Sequence, residues 1–168
     1  MPRRVTALIA PFGVPAYRGW WRAVFGPGRL SVSDVGRVPY VFEHGESGRV
    51  VVGVMVDVEE RPAIGAHLAG VYGTFDIDDT PAGDRAWAEL RSGSRSGFSM
   101  GLEYDAATLD AITAALETYW TTGEVTDIDA VAQIREVSHV FMPAFDDART
   151  IALDDVETTD PAPILGAS

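Results

Sequence analysis

Val50-Val51-Val52-Gly53-Val54-Met55-Val56-Asp57-Val58 is the stretch whose reading decides the fold class. β-branched side chains lose rotamer freedom in a helix and pack well on a pleated surface, so this valine-rich run predicts a strand. The pattern extends to either side. Upstream, Val38–Glu43 reads as a second strand ending at His44, and the Gly45–Gly48 turn leads into the first. Downstream, Gly70–Ile77 reads as a third and closes in the acidic run Asp76–Asp79. Val5–Ile9 is a further strand, followed by a turn at Gly26-Pro27-Gly28.

Two helices interrupt the strands. Thr80-Pro81 supplies a hydroxyl cap and a first-turn proline, and the helix runs to about Leu90 with Gly93 beyond it. Asp105–Thr122 is the clearer helix: Leu109, Ile112, Leu116 and Tyr119 recur at helical spacing, Asp105 can cap the start and Gly123 ends it. Between them Ser96–Tyr104 alternates as a strand, with Phe98, Met100 and Leu102 on one face and Ser99 on the other. Ile134–Phe141 is another strand, stopped by Pro143, and Thr150–Leu153 is the last. The expected architecture is one α+β domain over 1–153, dominated by a closed or nearly closed antiparallel sheet. An acidic, proline-bearing mobile tail is expected over 154–168.

Composition narrows the chemistry. Hydrophobic residues make up 46% and charged residues 23% of the 168, the balance of an ordinary globular domain. The absence of cysteine removes disulfides, thiolate metal sites and a thiol nucleophile. With a formal charge of −12 the chain lacks the basic stripe that nucleic acid requires, and no apolar run is long enough to span a membrane. Arg3-Arg4 before Val5–Ala10 superficially resembles a signal peptide, but Pro11 and Gly13 cut the run short; a cytosolic protein is expected. All 13 basic residues are arginine, so no phosphate loop of the Gly-x-x-x-x-Gly-Lys kind can exist. Asp76–Gly83 lacks calcium-loop spacing, and no cofactor or metal site is expected. The aromatic cluster Tyr17, Trp20, Trp21 and Phe25 reads as core or as a subunit contact, which leaves a homo-oligomer open.

Few residues are placed to carry a reaction. His44 stands where a strand meets a glycine-rich turn, a place where a side chain can face a cleft, although position alone favours a solvated turn histidine. His67 lies between Gly65 and Gly70 and reads as structural or incidental. His139 alternates onto the face opposite Glu136 and Ser138. Ser99 is flanked by Gly97 and Gly101 on a strand, where glycine permits the close approach of another backbone or of a substrate. The Gly-Phe-Ser-Met-Gly spacing is no nucleophile elbow, because no helix begins directly after it.

Three segments, in this order, resemble the prohead serine proteases of tailed phages. Val38-Pro39-Tyr40-Val41-Phe42-Glu43-His44 with the following valine strand is similar to the family's histidine segment. Gly97-Phe98-Ser99-Met100-Gly101-Leu102 is similar to its Ser-x-Gly nucleophile strand. Arg135-Glu136-Val137-Ser138-His139-Val140-Phe141-Met142-Pro143-Ala144 resembles its Glu-Val-Ser strand ending in Pro-Ala. The resemblance covers about residues 7 to 153. Two positions depart from the pattern: Gly45 stands where an acidic residue usually follows the histidine, and Leu102 where phenylalanine usually stands.

The resemblance implies a fold like herpesvirus assemblin, an antiparallel β-barrel with covering helices. It also implies a triad with His44 as general base, Ser99 as nucleophile and Glu136 as the group orienting the base. His139 is the alternative third member, in the manner of assemblin's His-Ser-His arrangement. The implied activity is a serine endopeptidase that cuts scaffolding segments, the major capsid protein and itself during prohead maturation. Its partners would be those capsid proteins, with neither nucleic acid nor membrane, and its place the host cytoplasm inside the assembling prohead. The rival reading is a non-catalytic capsid-assembly or scaffold-binding module on the same fold.

Overall fold

The valine-rich run becomes β4 (Val51–Arg61), the long strand between β3 (Pro39–Phe42) and β5 (Gly70–Ile77), antiparallel to both. These assignments come from a computed structural model that describes residues 3–16, 24–43, 48–103 and 105–155. Beyond β5 the sheet continues antiparallel through β1 (Arg3–Pro11) to β8 (Thr150–Asp155). In the other direction, β7 (Ala132–Val140) runs parallel to β3 and to the two-residue β2 (Leu30–Ser31). β6 (Gly97–Glu103) lies antiparallel on the far edge of β7.

This mixed α+β architecture corrects two expectations. The sheet is not antiparallel throughout, since β7 is parallel to both of its neighbours on one side. Nor is it closed into a barrel. Among the described residues, β6 and β8 meet at the isolated bridge Gly97↔Arg149, flanked by Phe98 N–H to Ala148 O at 2.9 Å and Thr150 N–H to Ser96 O at 3.1 Å. The two strands touch only where each begins; β6 then follows β7 and β8 follows β1, so no ladder can grow between them.

The helices match their signals closely. α1 (Pro81–Ser92) is capped by Thr80 Oγ1, which accepts from Gly83 N–H at 3.1 Å, and it ends on Gly93 at φ 72°. α2 (Ala106–Thr122) starts where Asp105 accepts from Thr108 N–H at 2.7 Å and ends on Gly123 at φ 75°. α2 buries Ile112 and Ala115, whereas Leu109 is exposed, so its inward stripe is narrower than the spacing predicts.

The core is centred on three fully buried rings. Tyr40 stacks on Phe98 at 5.3 Å with the rings 5° from parallel, and Phe75 lies 5.0 Å from Tyr40 and 5.6 Å from Phe98. The triplet ties β3, β5 and β6 together, joining strands that are not hydrogen-bonded neighbours. Phe25 is also buried, against Phe145; Tyr17, Trp20 and Trp21 lie outside the described residues.

Candidate active site

β7 is the spine of the site. Ser138 on β7 faces Ser99 of β6 on one side and Val41 of β3 on the other. One residue earlier in the alternation of that face, Glu136 faces Gly101. Side chains opposite one another across paired strands share a face, so Ser99, Ser138 and Glu136 project together. Both Ser99 and Glu136 are only 7% exposed, which rules out a solvated carboxylate at 136.

Gly101 explains how Glu136 is held. A methyl group on residue 101 would lie 2.5 Å from Glu136 Cγ and 3.2 Å from its Oε1, so the carboxylate lies across the glycine. The Ser138 hydroxyl donates to Oε1 at 3.5 Å, and Arg49 Nη2 stands 3.5 Å from Oε2. The glycine in Ser-x-Gly is therefore the space that the carboxylate fills.

His44 lies outside the described residues. The chain on either side of it is defined. β3 ends at Phe42, opposite His139, and Glu43 adopts φ 47°, the one non-glycine residue at positive φ among the described residues. That conformation costs an L-residue about 1–2 kcal/mol. On the return side, Arg49 brings the chain back to the Glu136 carboxylate.

The opposite face of β7 carries a second polar cluster. His139 is fully buried, with Nδ1 2.6 Å from the Tyr40 hydroxyl and Nε2 3.0 Å from Glu89 Oε2. Burial holds the Tyr40 hydroxyl well above its usual range, so it donates to Nδ1 and leaves Nε2–H for the carboxylate. Desolvation pulls the His139 pKa down to about 4 against the opposing pull of Glu89, and the ring is neutral at neutral pH. Glu89 feels the same burial, but hydrogen bonds from Arg85 and His139 and the charge of Arg95 hold it below the usual carboxylate range. Both ring nitrogens of His139 are thus engaged, and the ring lies on the face of β7 opposite Ser99. His67 forms an isolated bridge with Ile64 in the connection between β4 and β5.

The match that decides the lineage runs from residue 28 to residue 161, against the family model described as caudovirus prohead serine protease. The chain belongs to that family. No curated protein and no solved structure matches it. Membership in the prohead serine proteases carries a role in capsid maturation, with capsid proteins as partners and the prohead as the setting. No described helix is long and apolar enough to cross a membrane. Among the described residues, no group of three or more His, Asp or Glu could hold a metal.

Sequence reasoning missed Arg49, Glu89 and Arg95. Glu89 and Arg85 are four apart on α1, the signature of a solvated helix pair, and nothing local reveals that His139 sits against them.

Proposed function

We propose that this prohead protease is a serine endopeptidase that cleaves scaffolding and major capsid protein segments, and itself. Ser99 is the nucleophile, His44 the general base and Glu136 its orienting carboxylate. The protease domain runs to the end of β8 at Asp155, two residues past the expected boundary because Asp154 and Asp155 pair with Arg4 and Arg3 of β1, on an assemblin-like plan with the site on the outer face of the sheet. The observation that carries the reading is the juxtaposition of Ser99 and Glu136, neighbours on one face of paired strands, each nearly buried. β3 leads into His44 along the other edge of the same spine.

The chemistry follows from those roles. A serine hydroxyl is a weak nucleophile at neutral pH, so His44 takes its proton as Oγ attacks the peptide carbonyl. The tetrahedral intermediate collapses as the imidazolium returns that proton to the leaving amine. Water then repeats the sequence on the acyl-enzyme and regenerates Ser99. Glu136, accepting from the far ring nitrogen, fixes the tautomer and stabilises the imidazolium between the two transfers. The Arg49 guanidinium and Ser138 hydroxyl facing the carboxylate are the partners an anion takes.

Co-expression with the capsid precursor tests the reading. Ser99→Ala should bind the precursor and leave it uncut, and a fluorophosphonate should label the wild-type protein at Ser99. Unlabelled, folded wild-type protein with unprocessed precursor would instead favour the non-catalytic assembly module.

A further inference from the structure

Arg95 occupies the turn between α1 and β6, four residues ahead of Ser99, and is 7% exposed. Its guanidinium gathers segments from every strand of the site. Nη1 lies 3.4 Å from Glu43 Oε1, immediately beyond β3. Nε lies 3.2 Å from Glu89 Oε2 on α1, an ion pair without hydrogen-bond alignment. Cζ stands 5.2 Å from the Phe42 ring centre and 4.0 Å from that of Phe141, the residue just past β7. One buried cation thus touches the ends of β3 and β7 and the approach to β6.

The backbone at Glu43 gives this contact a purpose. Residues two apart in a strand share a face, so a straight continuation of β3 would put residue 44 on the face of Tyr40 and Phe42. That is the inward face, with Phe98 and His139, away from Ser99. Positive φ at Glu43 breaks the alternation at the last residue before His44. Glutamate has no intrinsic preference for that region, so something must hold it there.

We propose that Arg95, through Glu43, is a positioning residue that fixes the left-handed turn leading off β3 into the proposed base, His44. The proposal rests on the Ser99–His44–Glu136 reading above. Neither Arg95 nor Glu43 touches substrate; both act through His44.

The rate of Ser99 labelling by a fluorophosphonate, which requires a working base, reads the effect on the full chain. Glu43→Ala removes the anchor and keeps the strain, so labelling should slow about tenfold or more. Glu43→Gly removes the anchor together with the strain, because glycine adopts positive φ freely, and should label within about threefold of wild type. Arg95→Met should slow labelling as Glu43→Ala does, and adding Glu43→Gly should restore much of the rate, a rescue that a merely structural arginine would not allow. Equal rates for Glu43→Ala and Glu43→Gly would overturn the proposal, and so would wild-type labelling in Arg95→Met. Should Arg95→Met fail to fold, the two variants at half-exposed Glu43 still decide. His44→Ala separates the layers: if it labels normally, the triad reading itself fails, whereas its loss beside indifferent Glu43 variants sinks the positioning role alone.

Discussion

The two faces of β7 carry similar side chains and opposite designs. Outward, Glu136 and Ser138 meet Ser99, with a carboxylate laid across Gly101 and an exposed arginine beside it. Inward, His139 meets Tyr40 and Glu89, backed by Arg85 and Arg95. The inward cluster has a histidine with both nitrogens bonded and a carboxylate held by cations, which fixes every proton. A proton carrier needs the reverse, a ring free to gain and lose a proton near neutral pH. A histidine bonded at both nitrogens and held neutral is thus ill suited to carrying protons, and the contrast separates the two faces of a single strand.

The largest effect expected from breaking this contrast is on the outward face. Glu136→Gln keeps the shape but offers the base the wrong partner, and kcat for precursor cleavage should drop by about 10²–10⁴ while the thermal midpoint moves little. A normal rate would hand the orienting role to another group.

Next comes the inward face, where the effect is on stability. His139 has a folded pKa near 4 against about 6.5 unfolded, so the unfolded chain binds the extra proton between those values. Its contribution is complete above about pH 6.5 and is lost as the pH falls toward 4, by an amount on the order of 3 kcal/mol. Urea midpoints at pH 7 and pH 4.5 should show this loss in wild type and a smaller one in His139→Gln. A wild-type slope that survives in the variant would assign it to the carboxylates.

The smallest effect sharpens the comparison at the glycine. In Gly101→Ala the added methyl displaces the Glu136 side chain, and kcat should fall about tenfold with KM little changed. Pairing it with Glu136→Asp, a shorter side chain, should recover part of the loss; additive damage in the double variant would mean the methyl acts elsewhere.

Local signals account for much of the fold. Gly70–Ile77 is a strand as its pattern reads, and Thr80, Asp105, Gly93 and Gly123 cap the helices they were expected to cap. Alternation also put Ser99 opposite Phe98 and His139 opposite Ser138, as observed in the register. Pairing direction was not legible, because the alternation of β7 is the same whether β3 runs parallel or antiparallel to it. Closure was not legible either, since it depends on whether two edge strands align along their lengths or meet at their tips. Ser99 and Glu136 came from the ordered likeness to a family, whereas the burial of Glu136 depends on a glycine facing it from another strand. His44 was reached by the same likeness, and its side chain lies outside the described residues.

The parallel pairing of β3 with β7 also governs timing. Tyr40 and His139 touch across 99 residues of chain, and β3 and β6 are aligned only through the strand between them. Long-range contacts of this kind form late, after the loop they close has been made. A growing polypeptide that has already emerged past Ser99 still lacks the strand that brings serine and carboxylate together, and it gains that strand only when residues 132–140 follow. Synthesis past Ser99 is thus not enough: residues 132–140 must follow before the proposed site can assemble.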